Sequence, residues 1–189
     1  MTMTIVDVLR VLDRLDAAGV EWWIDGGWGV DALLALQTRP HDDLDFAIRA
    51  EDIERLPAIF AEFRHVDQDQ WPSAFVLRDA AGRQLDFHPL ELDERGDGWQ
   101  PQPGGGRHLW PREALDARGT IGGRGVRCTS PEFQIEAHLY EGHDDFDWAA
   151  VRALCGHFGL PLPAGADRPG FVQVRRPRIQ LDVARTGEG

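Results

Sequence analysis

The chain has 189 residues, of which 42% are hydrophobic and 28% charged, a balance that excludes a mostly disordered polypeptide and suits one globular domain or a domain with a small appendage. The formal net charge is −12, so nucleic acid is a poor partner and a cationic small molecule a better one. All 20 basic residues are Arg, which excludes lysine Schiff-base chemistry and a P-loop lysine. No apolar run approaches the roughly 20 residues of a membrane span, and no signal-peptide pattern follows Met1, so neither membrane insertion nor secretion is expected. Cys128 and Cys155 form no CxxC pair and support neither a disulfide framework nor a structural zinc site; a reducing cytoplasm is the expected compartment.

Thr4 reads as an N-cap for a first amphipathic helix, with Ile5, Val8, Leu9, Leu12 and Leu15 at helical spacing and Gly19 as its stop. Val20 to Asp25 reads as a short strand, Gly26-Gly27 as a turn, and Val30 to Leu36 as a helix entered from that turn. Leu44 to Arg49 is a second strand. Glu51 to Phe63 is expected to be helical, kinked or started late by Pro57. Ala74 to Arg78 and Arg83 to His88 are expected as a hairpin about Asp79-Ala80-Ala81-Gly82. From Asp93 to Arg107 the composition turns to Gly, Pro and polar residues and predicts a loop, either a lid or a substrate edge. Thr120 to Cys128 folds back on Gly122-Gly123, and Ser130-Pro131 opens a helix to about Tyr140. Phe146 to Phe158 is another helix, stopped by Gly159 and Pro161, and Phe171 to Val174 is a candidate edge strand. The expected organisation is a core over residues 1–92 and a substrate-side extension over 93–189, either separate or continuous with it.

Chemistry concentrates in Asp25-Gly26-Gly27-Trp28-Gly29-Val30-Asp31 and in Arg39-Pro40-His41-Asp42-Asp43-Leu44-Asp45-Phe46. Residues i and i+2 of a strand share a face, so Asp43 and Asp45 project the same way about 6 to 7 Å apart. Carboxylates that close repel unless a cation neutralises them. Oxygen ligands in an open site suit Mg²⁺, which takes its remaining ligands from water and substrate phosphates. Gly26-Gly27, at a strand-to-helix junction, lets backbone N–H groups approach a phosphate. Asp86 and His88 share a face of their strand, and pairing of that strand with the Asp45 strand brings Asp86 beside the metal pair, as a third ligand or a general base. Each feature also has an ordinary reading: a Gly-Gly turn is common in α/β proteins, and Asp-x-Asp is often a solvated strand edge.

A glycine turn, a helix, Asp-x-Asp and a later Asp on a neighbouring strand together resemble the nucleotidyltransferase superfamily, the fold of the DNA polymerase beta catalytic domain. Trp23 to Asp31, Arg39, His41, Asp43 and Asp45, with Leu85-Asp86-Phe87-His88-Pro89, resemble the small antibiotic nucleotidyltransferases of the lincosamide and 2''-aminoglycoside types, over about Trp22 to Pro163. The resemblance implies an α+β fold, a mixed sheet with flanking helices and a small C-terminal helical and strand part. It implies Asp43, Asp45 and Asp86 as metal-binding and catalytic residues, with Asp86 the base. Gly26, Gly27, Arg39 and His41 then meet the nucleotide, although Arg39 and His41 read equally well as a pair bridging Asp31 or Asp42. Gly27 replaces the serine that many superfamily members carry. Asp25 and Asp31 are expected to be structural. The cluster His138, Tyr140, Asp144, Asp145 and Asp147 is either a seat for a cationic amino sugar or a solvated helix junction, and Trp71, Trp99 and Trp110 either stack on substrate or pack.

The reaction implied is attack by a substrate hydroxyl on the α-phosphorus of a nucleoside triphosphate, ATP being expected, with Mg²⁺ as cofactor. The acceptor is expected to be a small cationic antibiotic. The Pro89, Gly104-Gly105 and Pro131 context leans to lincosamides and the acidity to aminoglycosides, while a homodimer is left open. The competing readings are a toxin-type enzyme acting on tRNA or protein and a catalytically silent nucleotide-binding protein.

Overall fold

The computed structural model describes residues 2–66, 70–139, 145–164 and 179–180. The chain opens with α1 (Ile5–Ala17), whose start is a capping box: Thr4 Oγ1 accepts from the Asp7 amide, and the Asp7 carboxylate accepts from the Thr4 amide. Its buried stripe of Val8, Val11, Leu12 and Leu15 lies in the main core with Trp22, Ile24, Phe46, Ile48 and Phe87.

A mixed sheet organises the rest, as expected. β1 (Trp22–Asp25) runs antiparallel to β2 (Asp43–Arg49). The helix α2 (Gly26–Leu34) and the loop after it join the two strands. A 3₁₀ helix (Ala50–Arg55), a single helical turn α3 (Leu56–Ile59), β3 (Arg64–Val66) and β4 (Phe75–Arg78) follow. The chain then enters β5 (Gln84–Leu92), which pairs parallel with β2 from Asp43↔Gln84 to Arg49↔Leu90. The far edge of β5 is shared: its first half pairs with β4, and its end pairs with β6 (Gly98–Pro101). β7 (Arg107–Trp110) extends the sheet beyond β6. The turn α4 (Arg112–Leu115) and the hairpin β8 (Arg118–Ile121) and β9 (Arg124–Arg127) precede α5 (Pro131–His138) and α6 (Asp145–Phe158). A two-residue β10 (Ile179–Gln180) pairs with β7.

Alternation along β1, β2 and β5 gives the sheet two different faces. One carries Trp22, Ile24, Leu44, Phe46, Ile48, Leu85 and Phe87 into the core against α1. The opposite face carries Asp25, Asp43, Asp45 and Asp86, flanked by a smaller apolar cluster of Trp23, Ala47, Leu90, Trp110 and Leu115.

Three expectations change. The helix over Glu51 to Phe63 is a 3₁₀ segment followed by one α turn, because Pro57 has no N–H for the carbonyl four residues back. The loop over Asp93 to Arg107 is a hairpin, β6 and β7, with Gly104, Gly105 and Gly106 at its tip; Gly98 sits in a strand, where a Cβ would lie 2.9 Å from Leu90 Cδ1. Gly26-Gly27 is the first turn of α2 rather than a turn ahead of it. The candidate strand Phe171 to Val174 falls outside the described residues.

β8 presses on α2 where Gly119 meets the Ala32 backbone, and a Cβ at 119 would lie 2.5 Å from the Ala32 carbonyl carbon and oxygen. Backbone cannot yield as a side chain does. Gly119→Ala is therefore expected to destabilise the protein by about 1 to 3 kcal/mol, read as a lower urea midpoint with unchanged slope.

Candidate active site

The register places three carboxylates in one row across the sheet: Asp25 opposite Asp45, and Asp45 opposite Asp86. Asp43 stands two residues before Asp45 on the same face. The sequence-predicted trio Asp43, Asp45 and Asp86 is thus brought together, with Asp25 as a fourth neighbour.

These groups differ in their partners. Asp25 is buried, and its Oδ1 accepts from Thr129 Oγ1 at 2.7 Å and Gln134 Nε2 at 3.0 Å. Asp25 also precedes α2 as its N-cap, yet makes no side-chain capping bond. Its carboxylate is committed to Thr129 and Gln134, so the first turn of α2 keeps amides that no side chain of Asp25 covers. Asp45 is held well above the ordinary carboxylate range, first by burial and then by the charges of Asp43, Asp86 and Asp25, with Arg39 opposing. Asp86 is raised by burial and by Asp43, against the hydrogen bond that Gln84 Nε2 donates to its Oδ2 at 3.0 Å. The other oxygen, Asp86 Oδ1, is buried with no hydrogen-bond partner.

Gly26 and Gly27 are required by this packing. Gly26 has φ +58, and a Cβ there would overlap the Asp45 carboxylate; a Cβ on Gly27 would overlap the His41 ring and lie 3.2 Å from an Arg39 guanidinium nitrogen. The start of α2 is therefore in contact with Asp45 on one side and with His41 and Arg39 on the other. His41 bridges to Asp31: it is buried, its Nε2 lies 2.6 Å from Asp31 Oδ2, and its ring packs against Trp28. Asp31 also accepts from the Thr38 amide and hydroxyl at 2.9 and 2.6 Å. Together these bonds clamp the loop before β2 onto α2. Asp25 and Asp31 thus both hold hydrogen bonds that tie neighbouring elements together.

An open cleft of about 190 Å³ adjoins the carboxylates, lined by Asp25, Gly26, Gln134, Ala137, His138 and Asp147. His138 and Asp147 of the predicted acidic cluster meet there, Nε2 to Oδ1 at 4.0 Å; Tyr140, Asp144 and the Asp145 side chain lie outside the described residues. Trp110 packs in the smaller cluster, Trp99 lies under the Arg107 guanidinium, and Trp71 is exposed against Phe75.

Among the described residues no three His, Cys, Asp or Glu side chains gather closely enough to cage a metal alone, so Asp43, Asp45 and Asp86 do not form a ready-made triad of ligands. Mg²⁺ sites built from one or two carboxylates plus substrate phosphates have this open character. The crowding at Asp45 and the unpartnered Asp86 oxygen fit such a use. Sequence reasoning missed Gln84 and Gln134. Strand alternation alone places Gln84 beside Asp86, whereas nothing local to Gln134 announces its contact with Asp25, 109 residues away.

A mixed sheet with acidic residues aligned across β1, β2 and β5, and a glycine-opened helix between β1 and β2, is the architecture of a nucleotidyltransferase. Two solved structures share it. The lincosamide antibiotic adenylyltransferase LnuA with lincomycin bound has a TM-score of 0.72 at 26% identity, covering 82% of this chain and 98% of that one. ANT(2'')-Ia in complex with adenylyl-2''-tobramycin shares the fold with a TM-score of 0.67 at 24% identity, covering 82% and 89%. A lincosamide resistance protein of Staphylococcus haemolyticus is 29% identical over 139 residues, 73% of this chain and 84% of its own length. A 2''-aminoglycoside nucleotidyltransferase of Escherichia coli is 28% identical over 156 residues, 78% and 80%. The profile of the aminoglycoside-2''-adenylyltransferase family matches residues 7–151, and the chain belongs to that family.

Asp45 supplies a test that needs no substrate. Its carboxyl binds a proton more tightly in the folded than in the unfolded chain, so it costs stability as pH rises from the unfolded value, about 3.9, through the raised folded one. Asp45→Asn removes that cost. The variant is expected to melt with the parent near pH 3 to 4 and above it at pH 7 to 8, each kcal/mol relieved appearing as about 2 to 4 °C. Differential scanning calorimetry across that range reads it, and a variant that melts below the parent at pH 8 removes Asp45 from the crowded cluster.

Proposed function

We propose that the protein transfers a nucleoside monophosphate, AMP from ATP, to a hydroxyl of a small cationic antibiotic of the lincosamide or aminoglycoside type. The observation that carries this reading is the row Asp25–Asp45–Asp86, with Asp43 on the same face, set against the start of α2. The names of the relatives supply the acceptor classes: LnuA is bound to lincomycin, and ANT(2'')-Ia to an adenylylated tobramycin.

Asp43 and Asp45 would hold Mg²⁺, which when bound neutralises the nucleotide phosphates and stabilises the charge that develops on them. The chain's own groups do the rest. The uncapped first turn of α2 and the Arg39 guanidinium beside Gly27 offer N–H donors and positive charge to a phosphate. Asp86 is the acceptor of the substrate hydroxyl's proton as that oxygen attacks the α-phosphorus and pyrophosphate leaves. Gln84 ties up Oδ2, which leaves the unpartnered Oδ1 to take this proton; Oδ1 is buried, so the hydroxyl reaches it only when the groups covering it shift. A carboxylate lifted above its ordinary range is the stronger base for it. The segment from residue 93 onward, which carries β6, β7, α5 and α6, forms the acceptor side. His41 contributes by holding the loop before β2 in place, through its bond to Asp31.

Radiolabel transfer from each nucleoside triphosphate to a panel of both drug classes tests the reading directly, and a protein inert toward both classes refutes it. Asp43→Ala and Asp45→Ala are expected to abolish transfer while melting at or above the parent temperature, because each relieves carboxylate repulsion. Turnover near the parent's in either variant would remove the metal assignment. Asp86→Asn is expected to keep Mg²⁺-nucleotide binding and lose at least about a hundredfold in rate, the scale of general-base catalysis. Weakened nucleotide binding in step with rate would make Asp86 a metal ligand instead.

A further inference from the structure

His88 follows Asp86 by two residues on the same face of β5, opposite Ala47 of β2. Its ring is held from behind by the hairpin. Gln100 of β6 donates through Nε2 to the Ser73 carbonyl at 2.7 Å and accepts at Oε1 from Trp110 Nε1 at 3.1 Å. A carbonyl cannot donate and an indole N–H cannot accept, so these two neighbours settle which end of the Gln100 amide is nitrogen. The second proton on that nitrogen points to His88 Nδ1, 3.3 Å away. Nδ1 is therefore an acceptor, and the ring proton resides on Nε2. The Trp110 ring, 6.0 Å from the imidazole between centroids, packs alongside. His88 is half-buried, and among the described residues its Nε2 has no hydrogen-bond partner.

The geometry points to His88 as a substrate-binding residue: its Nε2–H is a preset donor for an oxygen of the acceptor that neighbours the hydroxyl under attack. Nothing in the mechanism above uses this group. Two residues of strand separate it from Asp86 by about 6 to 7 Å. One hydrogen bond of about 2.8 Å from each end then spans two oxygens on adjacent or next-but-one carbons, as in a sugar diol. Asp86 accepts from the reacting hydroxyl, and His88 donates to its neighbour. An acceptor that offers only N–H donors at that second position gains nothing here. The inference rests on the reading that Asp86 faces the acceptor hydroxyl.

The two amide replacements of histidine separate this role from a structural one. Gln places its side-chain nitrogen near the position of Nε2, whereas Asn places its amide near Nδ1 and satisfies Gln100 without reaching outward. With lincomycin and Mg²⁺-ATP as probes, the lincomycin KM of His88→Asn is expected to exceed that of His88→Gln by about 2- to 12-fold, the value of one uncharged hydrogen bond. The KM for ATP should match the parent's in both. Histidine-labelled protein should show, in a long-range ¹⁵N–¹H spectrum, one ring with Nδ1 unprotonated that disappears in both variants and changes tautomer balance in Gln100→Leu. Activity restored by Asn and not by Gln would make His88 a packing partner of the hairpin and overturn the inference. So would a loss of kcat in both variants with unchanged lincomycin KM. If the parent turns over neither lincomycin nor tobramycin, the reading beneath the inference fails and the inference with it, whereas parent turnover with either adverse pattern sinks the inference alone.

Discussion

Like-charge crowding on one face of the sheet is the constraint to which the surrounding structure answers. Two backbone registers bring Asp25, Asp45 and Asp86 into line, and Asp43 joins them by strand alternation. Such an arrangement costs folding free energy, since each carboxylate raises the cost of ionising the next. The chain offsets the cost locally. Asp25 is satisfied by Thr129 and Gln134, Asp86 is half satisfied by Gln84, and Asp45 has the Arg39 charge and the start of a helix near it. What remains uncompensated is an elevated Asp45 and an Asp86 oxygen without a hydrogen-bond partner.

The buried Asp31–His41 pair serves the same centre at one remove. A buried hydrogen bond contributes little net stability, but removing one partner leaves the other unsatisfied and is costly. Its value here is positional: it pins the loop that carries Arg39 and leads into Asp43, over a helix whose first two residues are too small to push that loop away. Glycine at 27 and histidine at 41 are then one feature read from two sides.

Much of this was legible in the sequence, and the rest fails for identifiable reasons. Strand alternation placed Asp43 with Asp45 and Asp86 with His88, and the order of motifs suggested that their strands adjoin, as the β2 and β5 register has it. The N-cap at Thr4 and the core positions Val8, Leu12 and Leu15 of α1 followed from local pattern alone. Gln134 did not, because its role depends on α5 packing against α2, which brings it to Asp25 at the end of β1. The β6–β7 hairpin was hidden by averaging glycine and proline over a window in which two turns, residues 93–97 and 102–106, flank a strand. The helix expected over Glu51 to Phe63 failed at Pro57, where one missing N–H outweighed helical spacing.

The divided edge of β5 has a consequence of a different kind. Over Gln84 to Phe87 the strand is bonded on both sides, by β2 and by β4, and this stretch holds Asp86. Beyond it, β6 attaches through Glu91↔Trp99 and Leu92↔Gly98. The anchorage of the hairpin is thus short where that of the carboxylates is long. A fold built this way lets the hairpin lengthen, shorten or change its side chains over generations while the strand that carries Asp86 keeps both of its neighbours.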